Sequence, residues 1–401
     1  MLIDRPRYFD RIEPFIDQSL VKVLCGIRAS GKSSILALIQ EQLKKDAIQD
    51  KQIIAINFEL KEYAELRDFR RLYEYLQPLI DPLEGKAYLF LDEVQLVDQW
   101  ERVVNSFLYE GKSDLYVAGS NSAMTPMEIS TYLTGRYIRL QIHTLSLIEA
   151  ARFRGRPIDS DLLSLYIRRG AFPMLQNEAY SESDGYALVN DIVDSILHLD
   201  VAERFAIEDV DLLKRVLRAL ADSIGSPISA KLIARSFKSQ RPSVDVSIIQ
   251  SYLEAMRKAF LIHKVERYDV RGRYLSGSRE KYYLADTAII FALHGYHDRR
   301  LPGALENIIY LELLRRGFEV CAGRVARTDI DFIATRRGEK RYIQAVHRLV
   351  EKEEVLRAAA PLLAIRDAWP KCVVTMESPF SAVVEGVRFV SLLPFLSDEG
   401  W

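Results

Sequence analysis

Five short apolar runs punctuate the first 150 residues, at 20–25, 53–58, 88–91, 115–118 and 137–142. Stretches with helical spacing of apolar residues lie between them. Strands covered by helices on both faces read this way, so residues 1–150 are predicted to form an α/β domain with a mostly parallel sheet. After that the pattern changes. Residues 151–205 read as a helical connector, interrupted at Gly170-Ala171-Phe172-Pro173, with the polar stretch 180–185 as a loop. Residues 206–295 read as a helical module: helices at 211–224, from Ser229 as N-cap, and at 248–259, then strands at 260–268 and 281–284. Residues 300–401 return to mixed α/β. A helix at 305–317 has Gly317 near its end, and strands follow at 318–322, 329–335 and 341–346. A charged helix at 347–360 and a strand at 371–376 complete the order.

The composition is that of a soluble globular chain: 401 residues, 49% hydrophobic and 28% charged. A net charge of −1 excludes global attraction to a polyanion, so any nucleic-acid contact needs a local patch. Cys25, Cys321 and Cys372 are far apart and odd in number, which implies neither a disulfide framework nor a zinc site. The N-terminal residues lack the apolar core of a signal peptide, and no uncharged apolar run reaches about 18 residues. A cytoplasmic location is the expectation. The six histidines show no metal-ligand spacing, and His294 and His297 read as surface residues.

Gly26-Ile27-Arg28-Ala29-Ser30-Gly31-Lys32-Ser33 fits the phosphate-loop pattern, with an apolar strand before it and an apolar-periodic helix, from Ser34, after it. The glycines allow successive N–H groups to turn inward as an anion nest, and the helix adds its positive end. Lys32 is expected on the β- and γ-phosphates of ATP, and the Ser33 hydroxyl on Mg²⁺. About 60 residues on, the apolar run 88–91 ends in Asp92-Glu93. Carboxylates at the C-terminal end of a parallel strand emerge where such sheets bind ligands. Asp92 is expected to hold Mg²⁺, and Glu93 to orient the attacking water as general base. The run 115–118 leads to Gly119-Ser120-Asn121-Ser122, where Asn121 or Ser120 is placed to contact the γ-phosphate or the water. Arg136, after Gly135, is a candidate for stabilising transition-state charge or, equally, a surface arginine.

These motifs, with Leu145-Ser146-Leu147-Ile148-Glu149, resemble a large prokaryotic family of AAA-type P-loop ATPases. Its members carry a winged-helix segment and a C-terminal restriction-endonuclease-like domain of unknown function. The resemblance spans nearly the whole chain. It implies a five-stranded AAA-type sheet, Asp92 and Glu93 as the Walker B pair, a sensor at Asn121 and a finger at Arg136, in cis or, between neighbouring protomers, in trans.

Residues 230–281 hold 12 Lys and Arg against 5 Asp and Glu, a local +7. A basic winged helix is a footprint for double-stranded DNA, with Lys231, Arg257, Arg271 and Arg273 on phosphates; a solvated face is the other reading. In the C-terminal domain Glu306 and Asp331 fit the first two positions of a restriction-endonuclease-like metal site. The Glu-x-Lys expected on the next strand is Gln344-Ala345-Val346, and His347 is one residue out of register. An inactive domain is therefore expected, with Glu306 and Asp331 as capping or salt-bridge residues. The leading functional expectation is an ATPase or ATP-driven switch that orients these domains. A DNA-binding regulator or defence component with ATP as a structural ligand is the alternative, and an active nuclease the least favoured.

Overall fold

The computed structural model describes residues 2–120, 124–238, 241, 244–269, 280–325, 328–349, 351–376 and 383–398. They form two compact units, one of residues 1–143 with 258–260 and one of 144–257 with 261–401. Among the described residues no helix is long and apolar enough to cross a membrane.

The first unit is an alternation of α1 (Pro6–Ile12), β1 (Val21–Cys25), α2 (Lys32–Lys45), β2 (Ile53–Asn57), α3 (Phe69–Ile80), β3 (Ala87–Asp92), α4 (Trp100–Glu110), β4 (Ser113–Gly119), α5 (Pro126–Leu133) and β5 (Tyr137–Gln141). All five strands are parallel, in the order β2-β3-β4-β1-β5. The three central strands are buried at every position, which is why they read as continuous apolar runs. Leu24, Phe90, Tyr116, Leu140 and Ile142 pack against Ile12 of α1 and Ile35, Leu36 and Ile39 of α2. Phe90 and Tyr116 stack with centroids 4.5 Å apart. Asp68 caps α3 by accepting from the N–H groups of Arg70 and Arg71, and Tyr73 of α3 stacks on Phe107 of α4.

Lys22 breaks the apolar pattern of β1 and is completely buried. Its ammonium pairs with Asp114 of β4, which is equally buried, and donates to the Gln18 carbonyl at 3.2 Å. Asp114 also accepts from the Tyr116 hydroxyl at 2.8 Å and the Asp17 N–H at 3.1 Å. Burial pulls the Lys22 ammonium below its ordinary value, and Asp114 opposes that pull.

In the second unit, helices run over Leu147–Arg154, Ser160–Arg169, Glu182–Ser195, Val210–Ala221, Ala230–Phe237 and Val246–Lys258. The strands are β6 (Ile262–Val265), β7 (Arg267–Asp269), β8 (Lys281–Leu284), β9 (Glu319–Val325), β10 (Thr328–Arg336), β11 (Glu339–Val346), β12 (Lys371–Thr375), β13 (Val383–Val384) and β14 (Val387–Ser391). Seven of them form a mixed sheet in the order β13-β14-β12-β11-β10-β9-β7, while β6 and β8 pair separately. A long helix, Leu301–Arg315, precedes β9, and Gly317 at φ +78° ends it.

Three expectations change here. The polar stretch 180–185 is not a loop: Ser181 accepts from the Asp184 N–H while Asp184 accepts from the Ser181 N–H, a capping box that starts a helix at Glu182. The single strand expected over 260–268 is two. β6 pairs antiparallel with β8, whereas β7 leaves it after Glu266 and pairs in parallel with β9. Buried Arg267 marks the switch, its guanidinium bound to Asp329 on β10 of the sheet that β7 joins. The helix expected from His347 begins at Lys352, where Glu351 and Glu354 form its capping box.

Candidate nucleotide site

The loop joining β1 to α2 is shaped by three positive-φ residues: Gly26 at +149°, Ala29 at +63° and Gly31 at +96°. Gly26 is sterically required, because a Cβ there would stand 2.2 Å from the Ile142 carbonyl oxygen. The loop is fastened from behind by Arg5, which is 3% exposed and lies against the Tyr8 ring. Its guanidinium donates to the Ser30 carbonyl at 3.1 Å and to the His143 carbonyl at 3.0 Å. The His143 N–H in turn donates to the Tyr8 hydroxyl. Arg5 was not among the sequence candidates.

Lys32 opens α2 and is buried, its ammonium donating to the carbonyls of Gly26 at 3.3 Å and Ile27 at 3.2 Å. Across the site it lies 3.9 Å from Glu93 Oε1. Glu93, just past the end of β3, has φ +52° and is 7% exposed. Its Oε2 accepts from Ser120 Oγ at 3.1 Å and from the Gln95 amide. Ser120 follows β4, the strand between β1 and β3, so the sheet order itself brings these groups together. Gly119 leaves the space Gln95 occupies: a Cβ there would stand 2.4 Å from Gln95 Oε1, which would have to move. Gln95 is a second residue that the sequence reading missed.

Asp92 is hydrogen-bonded to the Ser33 side chain, to Asn57 Nδ2 at 3.3 Å and to the Glu93 N–H at 3.1 Å. Burial, with the nearby charge of Glu93 adding to it, pushes the Asp92 carboxyl up to about 6; the Ser33 bond and Lys32 oppose. A hydroxyl and a carboxylate facing each other are oxygen donors of the kind Mg²⁺ takes. A divalent cation would also relieve the cost of the buried charge. Above about pH 6 the carboxylate is ready; below it, a proton must leave first. Mg²⁺-dependent nucleotide affinity is therefore expected to fall by about tenfold per pH unit once the pH drops below that value, as calorimetric titrations at several pH values will read.

The remaining candidates are spread more widely. Ser33 and Ser34 are exposed on the first turn of α2, and the Arg28 guanidinium pairs with Glu59 at 2.8 Å. Among the described residues Ser30 Oγ is buried with no hydrogen-bond partner. Asn121 lies outside the described residues, as do Arg271 and Arg273. Arg136 is not brought to the loop. Its carbonyl receives the Val21 N–H, so it sits at the N-terminal end of β1 and β5, whereas the loop leaves the C-terminal end. Five residues of strand separate the two by roughly 16 Å, too far for a finger acting on its own loop.

Part of the basic segment is paired with acids. Arg257 binds Glu254 through two bonds of 2.6 and 2.7 Å, Lys264 pairs with Glu280, Arg241 with Asp209 and Asp211, and Arg267 with Asp329. Lys231, Arg235 and Lys238 are exposed. His294 is half-buried rather than on the surface, its Nε2 3.1 Å from the Arg218 carbonyl oxygen. Glu306 and Asp331 do meet, on the ammonium of Lys281.

Residues 18–151 match a family model described as an AAA domain, and residues 160–300 match one described as a domain of unknown function. An uncharacterized protein of Haemophilus influenzae is 30% identical over 403 residues, covering 98% of each chain. An uncharacterized protein of Methanocaldococcus jannaschii is 27% identical over 367 residues, covering 86% of this chain and 79% of that one. Among solved structures, a Walker-type ATPase of Pyrococcus abyssi aligns with 73% of this chain and 96% of its own, at 16% identity and a TM-score of 0.45.

Proposed function

The chain belongs to the family of the Haemophilus influenzae protein and carries an AAA-type domain, and on that premise we propose that it is a Mg²⁺-dependent ATPase whose nucleotide state sets the arrangement of the rest of the chain. The observation that carries this reading is the convergence of Lys32, Ser33, Asp92, Glu93 and Ser120 at the C-terminal ends of the central parallel strands, beside a loop bent by three positive-φ residues. In this reading the loop N–H groups and the Lys32 ammonium bind the phosphates. Ser33 and Asp92 would hold Mg²⁺, which would supply neutralisation of phosphate charge. Glu93 takes the proton of the attacking water, and Ser120 and Gln95 fix its carboxylate meanwhile. Arg5 keeps the loop rigid from behind.

The order of helices Val210–Ala221, Ala230–Phe237 and Val246–Lys258 followed by the β6–β8 hairpin supports a winged-helix-like middle segment. A helix, an antiparallel β9-β10-β11 meander, a helix and then β12 parallel to β11 support a nuclease-like C-terminal part. Calorimetry of MgATP on the native chain tests the premise: one binding site per chain is expected, and the absence of heat at several temperatures on folded protein overturns it. Turnover measured with and without duplex DNA then reads coupling. The pairing of Arg257, Lys264, Arg241 and Arg267 leads to the expectation that DNA changes it little.

A further inference from the structure

The nuclease-like reading implies a divalent metal between Glu306 and Asp331. The residues around that point do not fit one. Glu306 comes from the helix Leu301–Arg315, and Asp331 from β10, where the pairing with β9 shifts register between Ile330 and Ile333. The shift aims Asp331 at the same point as Glu306. That point is filled by Lys281 Nζ, 2.7 Å from Glu306 Oε1 and 2.8 Å from Asp331 Oδ1.

Other donors reach the two carboxylates as well. Glu306 accepts from the Tyr283 hydroxyl, and Asp331 Oδ2 accepts from the Ala345 N–H at 2.9 Å. The Asp331 N–H donates to Gln344 Oε1 at 3.4 Å, so the glutamine standing where a metal carboxylate was expected serves the backbone of β10 instead. Gly225 closes the remaining side, since a Cβ there would stand 2.4 Å from Glu306 Oε2. All three charged residues are nine-tenths buried or more. Among the described residues no group of three His, Cys, Asp or Glu side chains could hold a metal. Mg²⁺ needs about six oxygens in a near-octahedral shell, and here two carboxylates face a fixed ammonium.

We propose that Lys281 is the resident cation of this cluster, standing at the metal position of the nuclease-like core and turning it into a metal-free brace that ties β8 to β10 and to the helix Leu301–Arg315. The lysine reaches the site from the hairpin, not from the strand where a nuclease lysine is expected. Its charge neutralises one carboxylate. Burial and then the charge of Asp331 push the Glu306 carboxyl up to about 7, so near neutrality Glu306 holds a proton part of the time and the cluster needs no second cation. Burial alone would pull the Lys281 ammonium down, but Asp331 and Glu306 outweigh it and hold it above its ordinary value.

The inference takes over the nuclease-like reading of the C-terminal part and is independent of the ATPase reading. Mn²⁺ binding to the nucleotide-free full-length protein, followed by electron paramagnetic resonance, tests it. The native chain is expected to have no Mn²⁺ site that Asp331→Asn removes. Lys281→Met is expected to gain one, binding Mn²⁺ at least tenfold more tightly than native, and to lose it again when Asp331→Asn is added. A native site sensitive to Asp331→Asn overturns the proposal while leaving the nuclease-like reading standing. A folded Lys281→Met with no Mn²⁺ site overturns both. Should Lys281→Met fail to fold, amine acylation of the native chain decides. Lys281 is expected to stay protected with or without Mn²⁺, and labelling promoted by Mn²⁺ overturns the proposal.

Discussion

Glu93→Gln is expected to bind MgATP as tightly as the native chain and to turn it over on the order of 100- to 10,000-fold more slowly, the share general-base catalysis supplies. The substitution is nearly isosteric. The side-chain carbonyl that remains still accepts from Ser120 and Gln95, so the pocket keeps its shape while losing its proton acceptor. Lys32→Ala behaves in the opposite way. It deletes the buried ammonium that donates to the Gly26 and Ile27 carbonyls, and with it the only charge the loop itself offers to the terminal phosphates beyond Arg28. Calorimetry should then detect no binding, and turnover is lost with it. A Glu93→Gln protein that hydrolyses ATP at the native rate would show that another group accepts the proton.

Asp114→Ala is expected to destabilise the protein by about 3–5 kcal/mol, the cost of leaving one half of a buried ion pair alone. Three donors lose their acceptor together: the Lys22 ammonium, the Tyr116 hydroxyl and the Asp17 N–H. Against a typical total stability of about 5–15 kcal/mol, that is a large fraction. Urea unfolding reads it as a drop in midpoint with unchanged slope. The double substitution Lys22→Met with Asp114→Leu should recover much of the loss, because apolar groups need no partner there. Equal instability in the single and double variants would mean that the pair is not what holds β1 to β4.

Much of the first unit is legible in the sequence, since its chemistry is contiguous. The phosphate loop is a single run, Asp92-Glu93 ends a single strand, and a fully buried parallel strand announces itself by composition. What escaped depends on partners far along the chain. Arg5 reaches carbonyls 25 and 138 residues away, and Lys281 reaches carboxylates 25 and 50 residues away. No local spacing encodes such contacts. Gln95 escaped for another reason: its position becomes meaningful only once Gly119 leaves room for it. The charge of the basic segment was legible only in part. Counting charges gave a surplus, but the fold supplies acids from outside the window, such as Asp209, Asp211 and Asp329. The capping box at Ser181 was readable in principle, and was masked by the polarity that capping requires.

The strand switch at Glu266 has a mechanical meaning. One continuous piece of chain is stitched into the hairpin at β6 and into the seven-stranded sheet at β7, and Lys281 adds a cross-link from the hairpin's other arm. Neither sheet can peel away without tearing hydrogen bonds from the other, so the hairpin shares the protection of the large sheet and behaves with it as a single foldon.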